Sequence, residues 1–328
     1  MRKRLEILFV LMLFSATAML AQMTTSGING MVTAGGDKAI GATVTAVHEP
    51  SGTTYNTVVN ESGRYSINGM RVGGPYTVKV SYIGYTTSVT KDVTLQLAES
   101  YSLNVKLAED ANELGEVVVS AKATKFTAER TGASTNINLR QLENMPTVSR
   151  SITDFTRLSP YGGNGMSFAG TDGRTANFTV DGANFNNNFG LSDGLPGGGN
   201  PISIDAIEEM QVVISPYDVR QTNFIGGGVN AITKSGTNTF KGTAYIYHQN
   251  ENMRGDAIER EQISGAREKD QKTTYGFTLG GPIIKNKLFF FVSGEMSKTP
   301  TVVNRWRGSV DGVADADNYI SRTTLADL

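Results

Sequence analysis

The residue types able to do covalent chemistry are few in this chain, and their spacing is wrong for it. Residues 228–235 (GVNAITKS) have the outline of a phosphate-binding loop, but Thr233 precedes Lys234 where that motif needs glycine. His48 and His248 are the only histidines, and neither has a second ligand at metal-binding spacing. Residues 311–317 (DGVADAD) lack the spacing and the closing glutamate of an EF-hand loop. There is no cysteine, hence no disulfide, thiolate ligand or thiol nucleophile. No serine–histidine–acid arrangement stands out. The expectation is a protein that is not an enzyme and carries no metal or cofactor.

Two gentler kinds of chemistry remain, backbone pairing and polar contact. In residues 108–123 (AEDANELGEVVVSAKA), an acidic, small-residue tether leads into Glu116, Val117, Val118, Val119 and Ser120. Such a short β-prone run suits addition to a partner's sheet edge, where main-chain hydrogen bonds supply the affinity. It reads equally as the first strand of the domain that follows, and the two readings can overlap. Further on, two long loops, 161–174 and 184–200, are rich in glycine and asparagine. Loops of this length usually carry function or lack order. Their amides and rings, on Asn164, Phe168, Arg174, Asn184, Phe185, Asn187 and Phe189, are candidates to face a polar ligand. The alternative is loops packed against a surrounding wall.

The elements that position these residues are mostly strands. Arg2, Lys3 and Arg4 precede the apolar run 7–14 and then small residues, the layout of a cleaved export signal over 1–21. Cleavage fits after Ala21, with Ala18 as the alternative. Net charge is −1 with no basic cluster beyond the signal, which gives nucleic acid no footprint. The 37 glycines and the scarcity of helical periodicity make the class mostly β.

From Gly27 to Leu107 short strands alternate with turns at 35–37, 51–52, 61–63 and 73–75, a small sandwich. Ala42, Val44 and Ala46 share one phase, as do Tyr76, Val78, Val80 and Tyr82. Residues 139–158 carry helix signals broken at Pro146, with Ser149 or Ser151 able to cap the second piece. Residues 178–182 read as a strand entering a glycine turn, and 204–214 as an acidic helical turn followed by a strand from Met210. Together, 123–236 form an α+β domain.

After residue 237 the pattern changes. Residues 240–249 are a first long strand. Tyr275, Phe277 and Leu279 alternate with small polar residues, and Leu288, Phe290, Val292 and Met296 do so again. The last two runs are long enough for a tilted strand to cross a bilayer, whereas no apolar run past the signal could cross as a helix. Residues 282–287 read as a tight turn and 250–272 as a long, charged loop, matching the short periplasmic turns and longer outer loops of such barrels. Three strands cannot close a barrel in lipid, so the chain is expected to be the N-terminal part of a longer protein.

Two resemblances support this order. GINGMV, AIGATVTA, ESGRYSI and GGPYTVKVSYIGY resemble the carboxypeptidase regulatory-like domain, a transthyretin-type sandwich sometimes grouped with carbohydrate-binding folds. GRTANFTVDGANFNNNFGLSDG, NPISIDAIEEMQVVISPYDVRQTNFIGGGVNAITKSGTN and FKGTAYIY resemble the plug and first barrel strand of Oar-like TonB-dependent receptors. The EVVV run resembles the segment of those receptors in which the TonB box lies. The resemblance implies an outer-membrane transporter with signal peptide (1–21), sandwich (27–107), linker (108–122), plug (123–236) and incomplete barrel (237–328). It implies membrane lipid and a TonB-like periplasmic energy transducer as partners, and a peptide, glycan, chelate or protein as ligand. The sandwich and the mouth of the plug would face the periplasm. The plug ends in FIGGGVNAI where SusC-like relatives have a YG…ANGVI-type segment, which argues against a SusD-like lipoprotein partner. Rival readings are a surface adhesion or carbohydrate-binding protein, and an export channel or signalling receptor built on the same barrel.

Overall fold

The computed structural model describes residues 24–109, 117–120, 133–147, 150–186, 195, 200–214, 225–253, 255, 257–258, 261–262, 271–300, 307–308 and 319–320. The export signal, Glu116, Asn187 and Phe189 lie outside them, as do residues 215–224 of the plug motif.

The first domain is a two-sheet sandwich. Its strands are β1 (Ser26–Ala34), β2 (Asp37–Lys38), β3 (Thr43–His48), β4 (Thr53–Val58), β5 (Arg64–Met70), β6 (Gly73–Ser81), β7 (Ser88–Leu95), β8 (Ser100–Ser102) and β9 (Val105–Leu107). One sheet runs β2-β1-β5, with β8 and β9 parallel to β1. The other contains β7-β6-β3-β4 and gains a further strand, β10 (Val117–Ser120), on the outer edge of β7. The period-2 pattern explains the layering: Val44, Ala46, Tyr76, Val78 and Val80 are all buried in one core with Ile28, Val32 and Leu95. Tyr82 is only partly buried and stacks on Tyr85 at 5.6 Å. The two fully enclosed phenols are satisfied, Tyr76 by donating to the Arg71 carbonyl at 2.7 Å and Tyr65 to that of Leu103 at 2.8 Å. Burial pushes both hydroxyls well above the ordinary tyrosine range.

The second domain is α+β. Strand β11 (Ala133–Asn138) leads into α1 (Leu139–Asn144), and α2 (Ile152–Thr156) follows the break at Pro146. Each helix starts at a capping box, Asn138 with Gln141 and Ser151 with Asp154, which satisfies donors the first turn leaves unpaired. Then come β12 (Asn177–Val180), β13 (Ala183–Asn184), β14 (Ile207–Ile214) and β15 (Gly228–Thr233), in the sheet order β11-β14-β15-β12-β13. The helical turn expected before Met210 is confined to the 3-10 segment Ile204–Ala206, and Glu208 and Glu209 belong to β14 instead. β14, paired on both edges by β11 and β15, is buried along its whole length except at Glu208, which is partly buried.

The third sheet is an antiparallel-type meander in order β16-β19-β20, from β16 (Lys241–Gln249), β19 (Lys272–Ile284) and β20 (Leu288–Lys298). Between β16 and β19 lies the minimal hairpin β17 (Ala257–Ile258) with β18 (Glu261–Gln262). β19 alternates over 274–279, where Thr274 and Thr278 are buried while Tyr275, Phe277 and Leu279 are exposed. The tight turn is shorter than residues 282–287. Pro282 and Ile284 continue β19, and the chain reverses over 285–287, where Asn286 takes a left-handed φ of 60°. Asparagine tolerates that conformation, and proline near a strand end removes no needed ladder bond.

Candidate functional site

The β-prone run singled out in the sequence is a strand, but it belongs to neither a free tether nor the plug sheet. Val117, Val118, Val119 and Ser120 pair in parallel with Ser88, Val89, Thr90 and Lys91 of β7. Next to the last described pair, Ser120 with Lys91, β7 bulges. Val78 of β6 faces Thr90 while Tyr76 faces Val93, so two β7 residues, Lys91 and Asp92, oppose one on β6. Asp92 has a φ of 62°, the left-handed conformation such a bulge requires. Val89 shares its phase with the exposed Lys79 across the strand pair, yet it is 1% exposed itself. Val89 is thus buried on the outward face of β7, within the stretch whose edge pairs with β10.

A second polar feature ties the sandwich to the plug. The turn after β7 carries Leu97 into a fully buried position. Its N–H donates to Glu209 Oε1 at 3.0 Å, and its carbonyl accepts from Gln211 Nε2 at 2.9 Å and Asn136 Nδ2 at 3.2 Å. Glu209 and Gln211 stand in one phase of β14 and are 3% and 2% exposed. Three plug side chains thus hold both backbone groups of one sandwich residue. Composition gave no sign of this clasp. The available signal was two polar residues at i and i+2 inside an otherwise apolar strand, which marks a face meeting something polar. Beside the clasp, burial raises the Glu208 carboxyl above its usual range against the opposing pull of Lys234, Arg71 and Lys241.

The ligand-facing loop candidates separate. Residues 161–171 are an ordered array of turns, held by Ala169 N–H to the Tyr161 carbonyl at 2.9 Å and Gly163 N–H to that of Ser167 at 2.8 Å. Phe168 does not face outward as expected. It is 0% exposed in the plug core, so tightly placed that a β-carbon on Gly227 would lie 2.6 Å from its ring. An aromatic among glycines here fills the core that the loop folds over. Asn164 and Arg174 are exposed on this array. Asn164 accepts from Arg157 at 2.7 Å, and Arg174 forks onto Asp172 at 2.5 Å, holding that carboxyl down at about 2. Asn184 and Phe185 lie elsewhere, on β13 and the residue after it. Asn184 accepts the Asn186 N–H at 2.7 Å, and Phe185 is 37% exposed. The described candidates therefore occupy two features, not one constellation.

Both histidines hydrogen-bond to hydroxyls of the protein. His48 is buried at the end of β3, with Nδ1 2.6 Å from Ser51 Oγ and its ring 4.8 Å from that of Tyr76. Burial, helped by the nearby Arg71 charge, lowers its pKa to about 4. His248 pairs with Thr273 Oγ1 at 2.9 Å. Among the described residues no group of acidic, histidine or cysteine side chains could hold a metal ion.

The meander carries apolar side chains outward. Tyr275, Phe277, Leu279, Val292 and Met296 are each about half exposed. Glycine and tyrosine interlock on the strands: a β-carbon at Gly276 would lie 2.1 Å from Tyr245 Cζ, and the Tyr245 hydroxyl reaches Glu295 at 2.7 Å. At the short turn, Asn238 Nδ2 donates to Asn286 Oδ1 at 2.7 Å, the Asn286 N–H returns to Asn238 Oδ1 at 2.8 Å, and the Asn238 N–H donates to the sandwich carbonyl of Pro50 at 2.8 Å. An outward apolar belt on long strands joined by a short turn is what the lipid-facing strands of an outer-membrane β-barrel present.

Comparison with known proteins agrees. Residues 27–108 match the carboxypeptidase regulatory-like domain, and residues 232–310 match an outer membrane β-barrel domain. The TonB-dependent transporter Oar of Myxococcus xanthus is 27% identical over 252 residues, 71% of this chain and 23% of that protein. PirA of Acinetobacter baumannii, described as a probable TonB-dependent siderophore receptor, is 29% identical over 184 residues, 50% of this chain and 22% of that protein. The crystal structure of PirA superposes with a TM-score of 0.38 at 23% identity, covering 51% of this chain and 24% of that one. The chain is homologous to these TonB-dependent receptors, spans less than a quarter of their length, and belongs to the outer membrane of a Gram-negative cell.

Proposed function

We propose that this chain is the N-terminal region of a TonB-dependent outer-membrane transporter that is gated by its plug and energised through residues 116–120. The domain limits are those expected from sequence: signal 1–21, sandwich 27–107, linker 108–122, plug 123–236 and barrel from 237. The observation that carries the reading is β10. It is a four-residue strand between two domains with separate cores, and it pairs in parallel with a sheet edge. Main-chain pairing of this kind is what a partner working by strand addition can take over. A TonB-like protein takes the segment and pulls, part of the plug rearranges, and ligand passes. Pulling is required because the outer membrane has no nucleotide supply and holds no ion gradient.

The outward apolar side chains of β19 and β20 favour this reading over a soluble adhesin, since such a patch would drive association in water. The bonds between Asn238, Asn286 and Pro50 favour a sandwich on the side of the short turn, which is the periplasmic side in barrels of this kind. The ligand is a peptide, glycan, chelate or protein, met by Asn164, Arg174, Asn184 and Phe185 on the plug surface. No step of this scheme uses catalysis. Deleting residues 116–120 from the full-length protein tests the reading. Expected are normal outer-membrane levels and loss of capture of the purified periplasmic domain of the host's TonB-like protein. Undiminished capture refutes the assignment.

A further inference from the structure

We infer that the β7 edge of the sandwich is a dock for Val117–Ser120, so that the energy-coupling segment must leave β7 before it can be pulled. The inference rests on the coupling role just proposed and adds its regulation.

Three observations carry it. First, the dock is occupied by this chain's own segment, in a defined parallel register over Val117–Ser120 and Ser88–Lys91. β7 would otherwise end its sheet with an open edge of unpaired N–H and C=O groups, which folded proteins normally cover. Second, the described register runs up to a bulge. Lys91 and Asp92 oppose one residue of β6, and a bulge bends its strand and disrupts the ladder locally, which favours release at that end. The burial of Val89 on the outward phase shows that this stretch of β7 is finished as a covered surface.

Third, the route of force excludes pulling with the segment in place. β10 is followed in the chain by β11, the edge strand of the plug sheet, which pairs with β14 over Ala133–Asn138. Tension applied to β10 while it is bonded to β7 is borne by the sandwich sheet. Tension reaches β11 only after the β10–β7 ladder has opened. The sandwich therefore acts as a holder that keeps β11 unloaded until the segment is exchanged from β7 to the transducer.

A disulfide can test this, because the chain has no cysteine of its own. Lys91 is exposed and pairs with Ser120 at the end of the ladder. Adjacent strands lie about 4.8 Å apart, within the roughly 4.4–6.8 Å between α-carbons that a disulfide spans. The full-length Lys91→Cys/Ser120→Cys protein is oxidised in membranes and then offered the purified periplasmic domain of the host's TonB-like protein. Expected are formation of the disulfide, at least a tenfold loss of capture, and recovery on reduction. A disulfide that does not form overturns the dock alone. A disulfide that forms without reducing capture overturns the release step, because the transducer would then be adding to β10 in place. Failure of the wild-type protein to capture the domain refutes the coupling role itself. Amide exchange of residues 117–120 in the wild type gives an independent reading. Protection that falls when the transducer domain is added supports the exchange, and protection absent from the start overturns the dock.

Discussion

Lowering the pH should weaken the sandwich through one residue, His48. The imidazole is 3% exposed, with its Nδ1 on Ser51 Oγ and its ring against Tyr76, so burial holds its pKa at about 4 against 6.5 in the unfolded chain. Above pH 6.5 the ring is neutral in both states and contributes no pH dependence. Between 6.5 and 4 the unfolded chain binds a proton that the folded chain refuses, so stability falls as pH falls. Below 4 both states are charged and the loss is complete. At about 1.4 kcal/mol per pH unit of separation, the full loss is at most about 3 kcal/mol, and about 2 kcal/mol is gone by pH 5. Urea unfolding of residues 24–109 between pH 7 and pH 4, followed by circular dichroism, measures it. The domain has a core of its own for this purpose. Carboxylates titrate alike in wild type and His48→Gln and cancel in the difference. The wild type should lose about 2 kcal/mol more than His48→Gln on going to pH 5. Parallel profiles for the two proteins would refute the assignment of the shift to this ring.

Two further outcomes follow from packing. Glu209→Ala leaves the buried Leu97 N–H without its acceptor, at a cost of about 1–3 kcal/mol, so the Leu97 amide should exchange roughly five- to 150-fold faster while amides of β3 and β6 do not change. Unchanged exchange at Leu97 would mean that Glu209 does not hold it. Gly227→Ala places a methyl 2.6 Å from the enclosed Phe168 ring, and overpacking of this kind costs about 1–3 kcal/mol, read as a lower unfolding midpoint of the plug with little effect on the sandwich.

What could be read from sequence divides along the range of the interactions. Alternation along β3, β6 and β19 was legible because side-chain phase in a strand is local, and residues two apart share an environment whatever lies opposite. The helix break was equally local: Pro146 ends α1, and Ser151 with Asp154 starts α2. Residues 117–120 were legible as a strand, but the partner of that strand was not. Parallel pairing with β7 joins residues about thirty positions apart through backbone groups that every residue carries. The same limit hid the clasp, since Glu209 and Gln211 answer the backbone of Leu97, more than a hundred positions away. Phe168 misled for a different reason. Its glycine- and asparagine-rich neighbours set the backbone turns, while the aromatic ring followed the hydrophobic effect inward.

Two of the sandwich's attachments to the rest of the chain have opposite character. At Leu97 it is held by three side-chain hydrogen bonds to buried plug residues, so separating it there exposes polar groups that have no ready substitutes until water enters. At β7 it is held by the backbone ladder described over residues 117–120, and another strand can replace those bonds one for one. A partner working by strand addition can open the second attachment at little net cost in hydrogen bonds, but it has nothing to offer the first. On the proposed route the sandwich therefore stays clasped to β14 while β10 is drawn away. Force then enters the plug at β11, whose antiparallel ladder with β14 begins at Ala133 and Ile214. β14 itself is held on its far side by β15 and on its face by the clasp. The strand that yields first should be β11, with β14 remaining as the fixed wall against which it moves.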